Sequence, residues 1–215
     1  MRLWLTVPQF RWLWTANLCA TPAGWSWGMA LSVHVFTVTG SPLATGAVLA
    51  ANLAPAIALG SLGGAVADRV DRIRLVQLVS WLRALLLAGS LLATDDVAWL
   101  LTLAVVQSAA LQLFAPAEQA AVAAAVPGED LPTATAANSA ATNVSRLVGP
   151  VAGVALTCFA VITAAIGVTT ALLVIAAALL TRLRRVAGPV APTVGFLTGW
   201  RLGLAGSYAT GRPAR

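Results

Sequence analysis

Two stretches without a formal charge decide what this chain can fold into. Fifty-six residues separate Arg11 from Asp68, and thirty-five separate Arg146 from Arg182. Each exceeds the ~20 apolar residues that cross a bilayer core. Of the 215 residues, 59% are hydrophobic and 9% charged, and the mean hydropathy is +0.86. An ordinary soluble domain carries about 25% charged residues, so a water-soluble globule is excluded and an all-α membrane protein is expected. The net charge of +6 comes from thirteen arginines, with no lysine. Such a balance fits nucleic acid, a membrane surface or membrane topology; the loop count below assigns it to topology, so the expected partner is the lipid bilayer and not nucleic acid. Cys19 and Cys158 both lie in apolar stretches far apart in sequence, which indicates neither a disulfide framework nor a metal pair. No metal and no cofactor are expected.

The punctuation of the chain divides it into six spans. Arg11 interrupts the short apolar stretch after Arg2, and Leu18 rather than a small residue precedes Cys19, so neither a signal peptide nor a lipoprotein anchor is expected. The first helix is expected at about 12–37, before the turn Thr39-Gly40-Ser41-Pro42, and the second at about 43–66. After the charged loop 68–74, a third is expected at about 75–94 and a fourth at about 97–116. Pro116 to Pro132 carries Glu118, Glu129 and Asp130 and reads as an interfacial segment. From 133 to 181 there are forty-nine residues with one charge, about 73 Å of helix at ~1.5 Å per residue, more than twice a ~30 Å core. That length requires two helices, with a turn expected near Cys158 to Thr163. Residues 1–181 thus form a six-helix membrane unit, and 182–215 a basic tail. Six spans put both termini on one side. Arg2, Arg11, three arginines of the 69–74 loop and six of the tail fall on that side, and none on the other, so the positive-inside rule makes both termini cytoplasmic.

The loop between the second and third helices reads Gly64-Ala-Val-Ala-Asp68-Arg69-Val70-Asp71-Arg72-Ile73-Arg74. Gly64 lets helices approach closely, and Asp68 at a helix end anchors arginines or another helix N-terminus. Phe114-Ala-Pro116-Ala117, Val126-Pro127, Leu131 and Ala137-Asn138 follow, and then Gly149-Pro150-Val-Ala-Gly153. Pro150 can bend its helix, while Gly149 and Gly153 make a face of small residues for another helix to pack on. These motifs, in this order, resemble the major facilitator superfamily, in particular its bacterial drug and siderophore exporters. Gly64, Asp68, Arg69 and Arg72 match the superfamily's loop signature, with Asp71 in place of its second glycine and Ile73 in place of a basic residue. Gly149, Pro150 and Gly153 are similar to the end of the antiporter motif, with Val154 in place of its last glycine.

The resemblance covers about residues 8–185, which implies the first six of twelve helices: one half of a transporter whose two halves rock about a midplane site. It implies membrane transport, with efflux of small molecules such as drugs or siderophores from a truncated or half-length exporter. The alternative is a non-transporting fragment, or a half that acts by pairing with another half or a second copy. The lack of lysine with abundant alanine points to a GC-rich bacterial genome, hence the cytoplasmic membrane.

Polar groups inside the membrane default to functional candidates. On the first helix Asn17, Thr21, Gly24, Gly28 and Ser32 recur at helical spacing, which fits cavity lining and close packing equally. On the fifth, Thr135, Asn138, Thr142, Arg146 and Gly149 do the same, and the charge of Arg146 demands protein or water around it. Asn52, Gln107 and Gln112 are candidates for the cavity or for amide bridges between helices. Arg83 is expected to snorkel to the cytoplasmic face, and His34 to pack near the outer end of its helix. No carboxylate is expected at mid-depth. Related exporters often carry one near Gly24 and Trp25, and an arginine near Gln107; both are missing. A search for H-E-x-x-H, for Gly-x-Ser with a partner histidine and for paired intramembrane aspartates finds none, so an enzyme is not expected.

Overall fold

A computed structural model of the chain describes residues 7–67 and 71–183, with side chains from 60 to 67 left undescribed. The described residues form six α-helices: α1 (Pro8–Thr39), α2 (Pro42–Ala67), α3 (Arg72–Gly89), α4 (Val97–Ala125), α5 (Leu131–Phe159) and α6 (Ile162–Thr181). Two short 3-10 turns, Ser90–Leu92 and Gly128–Asp130, precede α4 and α5. Among the described residues there is no strand. Each helix occupies one of the six expected places.

Local chemistry sets the ends. Pro8 starts α1, where a missing N–H is harmless, and Gly40, at φ 61, ends it by donating its N–H to the Phe36 carbonyl at 2.8 Å. Asp71 accepts from the N–H groups of Ile73 and Arg74 at 3.1 and 3.3 Å, so α3 begins at Arg72 rather than near residue 75. Asp96 does the same for Ala98 and Trp99 at the start of α4, at 2.9 and 3.1 Å. The turn between α5 and α6 falls at Ala160 and Val161, inside the expected window. Val161 makes it at φ 143, a region that favours glycine, so no glycine or proline marks it.

The fourth helix departs from expectation. Pro116 does not end α4, which continues to Ala125. A proline inside a helix removes one hydrogen bond, but the buried face of α4 carries on past it through Ala117, Glu118, Ala121 and Val122. Tertiary packing therefore holds the helix through the proline, and Glu118 belongs to the bundle rather than to an interfacial segment.

α1 packs along α5 and α6 and also touches α2; α4 lies between α2 and α3, and α3 closes against α6. The centre is filled by Leu13, Leu31, Val48, Val76, Leu100, Ile166 and Leu173, all fully buried. The outside is equally apolar: Leu43 and Ile57 of α2 are each 85% exposed. Such a surface is a liability in water and ordinary against lipid. Four stretches, Pro42–Leu59, Arg72–Leu92, Val97–Ala125 and Ile162–Thr181, are long and apolar enough to cross a membrane. α1 and α5 are long enough but more polar. The guanidinium of Arg182 stacks over Trp12 at 5.0 Å from the ring centroid, which brings the start of α1 and the end of α6 to one end of the bundle.

Candidate functional site

The closest helix pair is α1 and α5, and the sequence shows why. Gly149 lies so near α1 that an added Cβ would stand 2.6 Å from Trp25 Cβ and 2.9 Å from the Pro22 carbonyl oxygen. A Cβ on Gly153 would overlap the Ser26 carbonyl. With both positions bare, Ser26 Oγ donates to the Gly149 carbonyl at 2.7 Å, and Trp14 Nε1 to the Ala137 carbonyl at 3.2 Å. Pro150, half-buried, follows the first of these glycines.

One turn further along the same seam, Asn17 is buried and donates from Nδ2 to Asn138 Oδ1 at 2.7 Å and to Thr142 Oγ1 at 3.4 Å. Thr21 Oγ1 donates to Asn17 Oδ1. Four of the sequence candidates, Asn17, Thr21, Asn138 and Thr142, thus form one network. Asn138 also reaches the carboxylate of Glu118 on α4, which interacts electrostatically with Arg83 of α3 without closing to a direct ion pair. Glu118 and Arg83 are 8% and 3% exposed, so both are interior groups. Arg83 does not snorkel: it lies eleven residues after Arg72 (83 − 72) in α3, its guanidinium 5.3 Å from the Phe114 ring centroid. Its Nη2 lies against α1 so closely that a Cβ on Gly24 would be 3.2 Å away. The missing side chain at Gly24 makes room for the cation, and Glu118 places a carboxylate inside the bundle where the sequence reading had none.

Gln107, Phe114 and Glu118 stand seven and eleven residues apart, so they share one face of α4. Arg83 Nε, Glu118 Oε1 and both amide atoms of Gln107 are buried without a protein hydrogen-bond partner among the described residues. Such groups call for water or another polar species beside them. Asn52 and Gln112 do not bridge helices through their side chains. Asn52 Nδ2 donates to Val48 of its own helix at 2.8 Å and Gln112 Nε2 to Ser108 at 3.4 Å; the α2–α4 link runs instead from Ser108 Oγ to the Asn52 carbonyl, at 2.6 Å. His34 is buried and pairs with the Thr94 carbonyl at 2.8 Å, pinning α1 to the loop before α4.

Arg146 points out of the bundle. It is exposed, with its guanidinium over the Trp25 ring at 5.7 Å from the centroid, and Thr135, Ser139 and Asn143 are exposed on the same side of α5. Of the two surroundings expected for Arg146, protein or water, these six helices do not supply the first.

The sequence model of the transmembrane secretion effector family, a family of the major facilitator superfamily, matches residues 4–209. The chain belongs to this family. It is therefore a multi-pass membrane protein of a transport family. No curated protein and no solved structure matches it. Of the superfamily's loop signature, Arg72 is described, as the half-buried first residue of α3. Gly64 falls where side chains are not described, and Asp68 and Arg69 lie outside the described residues. Asp71, the departure from the signature, is the residue that caps α3. Sequence reasoning missed Glu118, Ser26, Trp25 and Asn143. The seven-residue and eleven-residue spacing from Gln107 was the available signal for Glu118; Trp25 and Asn143 carried none apart from their place beside Gly24 and Thr142.

Proposed function

We propose that the six helices form one wall of an exporter of small amphiphilic molecules, such as drugs or siderophores, in the cytoplasmic membrane of a bacterium. All six cross the bilayer, with the start of α1 and the end of α6 on the cytoplasmic side, where eleven arginines then lie. The observation that carries the reading is the outward polar strip of α5, Thr135, Ser139, Asn143 and Arg146, beside Trp25 of α1. Facing lipid, Arg146 alone would cost at least ~2.5 kcal/mol near mid-bilayer. Facing a water-filled passage, the same strip needs no such compensation. Alternating access needs a second set of helices opposite, from further chain, a second copy or another half, so the six helices alone do not transport. Asp68 of the signature loop anchors one access state, Gly64 lets the loop helices close, and the chain performs no catalysis.

Two measurements test this. Single cysteines at Ser41 and Arg212, labelled with an impermeant thiol reagent, should react from opposite sides; labelling from one side refutes six spans. After purification in mild detergent and mass measurement, vesicles should export a substrate only where the assembled species holds more than one six-helix unit. A monomer of this chain that pumps against a gradient refutes the need for a second wall.

A further inference from the structure

We infer that Arg146 and Trp25 form a binding site for the anionic head of an amphiphile, in the first instance a carboxylate attached to a flat apolar body. The inference rests on the export reading for its biological sense, but the site is argued from its own geometry. Arg146 lies fifteen residues after Leu131 (146 − 131) and thirteen before Phe159 (159 − 146), and Trp25 seventeen after Pro8 (25 − 8) and fourteen before Thr39 (39 − 25). Both are therefore near mid-length of their helices, far from the headgroups. The Trp25 ring places the guanidinium, whose Cζ stands 5.7 Å from the ring centroid, and Trp25 is itself fixed because its Cβ sits over Gly149. An oriented guanidinium recognises a planar oxyanion through paired hydrogen bonds.

Among the described residues nothing neutralises that cation: Arg146 makes no ion pair. The seven acids are Asp68, Asp71, Asp95, Asp96, Glu118, Glu129 and Asp130. Asp71 and Asp96 cap helices, Glu129 and Asp130 lie in the turn before α5, Glu118 is inside the bundle, Asp95 falls in the segment before α4, and Asp68 lies outside the described residues. The described residues of a second copy would thus bring no mid-depth carboxylate to Arg146, which points to a ligand as the source of the missing anion. The apolar part has a place as well. Trp25, Met29 and Phe36 share one face of α1, 44%, 39% and 50% exposed, and run from the guanidinium toward the Gly40 end. Flexible thioether and aromatic surface suits varied hydrophobic bodies. A cation at one end and this row beyond it match an amphiphilic anion, and oppose an amphiphilic cation.

The full chain in nanodiscs of phosphatidylcholine alone tests this, with pyrenebutyrate as probe, pyrenebutanol as its neutral counterpart and a pyrenebutyl trimethylammonium salt as its cationic one, each corrected for empty nanodiscs. Pyrenebutyrate should bind about tenfold more tightly than the alcohol, a gap of ~1.4 kcal/mol. Arg146→Met should erase the gap and leave alcohol binding in place, and Arg146→Lys should restore only part of it, since a point charge lacks the paired geometry. Equal binding of all three probes, a preference for the cation, or a preference that survives Arg146→Met overturns the inference. Loss of pyrenebutyrate on adding phosphatidylglycerol assigns the site to a lipid headgroup and also overturns it. Vesicles that export the cation but not pyrenebutyrate leave the export reading standing and remove this one. Arg146-dependent binding without export by any assembled species does the reverse.

Discussion

Adding one methyl group at Gly153 should loosen the whole α1–α5 seam, and the structure says by how much. Carbon atoms in contact rest ~3.5–4.0 Å apart. A Cβ on Gly153 would overlap the Ser26 carbonyl oxygen and stand 2.9 Å from Ser26 C and Cα. A Cβ on Gly149 would stand 2.6 Å from Trp25 Cβ. The atoms struck are backbone and Cβ, which no rotamer can move, so the helices must separate by about 1 Å to recover ordinary contact. Overpacking of that kind costs about 1–3 kcal/mol. The separation also stretches the Ser26 Oγ to Gly149 carbonyl bond, worth roughly 0.6 kcal/mol inside a membrane bundle. Against this, alanine gains up to ~1 kcal/mol over glycine in helix propensity. The net loss for Gly153→Ala is then about 2 kcal/mol, or a melting midpoint lower by ~4–8 °C for a chain of this size. Gly167, with nothing within 4 Å of its Cβ position, is the control; Gly167→Ala keeps the propensity gain and should raise the midpoint slightly. The readout is built into the chain. Cys19 of α1 is partly covered and Cys158 exposed, so in a Cys158→Ser background a thiol-reactive dye reports the opening of α1. A midpoint for Gly153→Ala at or above that of Gly167→Ala would refute the close-contact reasoning.

The interior charges and the caps give two further tests. Glu118→Gln leaves Arg83 buried without its carboxylate and should destabilise the chain by about 3 kcal/mol in the same dye assay; adding Gly24→Asp, which puts a carboxylate where Arg83 Nη2 already lies, should return part of the loss, and no recovery counts against the placement of Arg83. Asp71→Ala removes the cap of α3 and should cost about 1 kcal/mol, with Asp71→Asn largely neutral; equal losses for the two would mean that charge, rather than the cap, matters at this position.

Much of this architecture is legible in the residues because lipid removes choices. Charge-free runs of fixed length, proline and glycine at the helix boundaries and arginine in the loops locate the six helices, and Gly149 and Gly153 announce a close approach without naming its partner. What fails is inference about single charges. Arg83 reads as a snorkelling group because its sequence neighbours are cytoplasmic, yet the void at Gly24 and the carboxylate of Glu118 hold it inside. Glu118 reads as interfacial because Pro116 precedes it, and a local breaker signal says nothing about the apolar face that carries α4 onward. Arg146 differs: a lone cation in a helix reads as needing protein or water around it, and the six helices leave that requirement to whatever stands opposite. For Arg83 and Glu118 the deciding contact comes from another helix more than twenty residues away in sequence.

The same distinction explains why α1 and α5 fall short of the hydropathy that the other four helices reach. A hydropathy average counts residues and is blind to faces. α2 turns Leu43, Leu49, Leu53 and Ile57 outward, and must be apolar because lipid is what it meets. α1 and α5 spend their small and polar residues on each other, through Gly149, Gly153, Ser26, Asn17 and Asn138, and the outward strip of α5 is polar again. A helix with protein on one side and water on the other has little use for leucine. In a bundle that carries solute across a bilayer, the least hydrophobic helices are accordingly the ones to suspect of lining the passage, and here they are also the pair locked together most closely. That locking gives Arg146 and Trp25 a rigid backing: under the binding and export proposed above, a solute drawn to them would push on α1 and α5 as one body, which is the mechanical condition for turning its binding into movement of the wall.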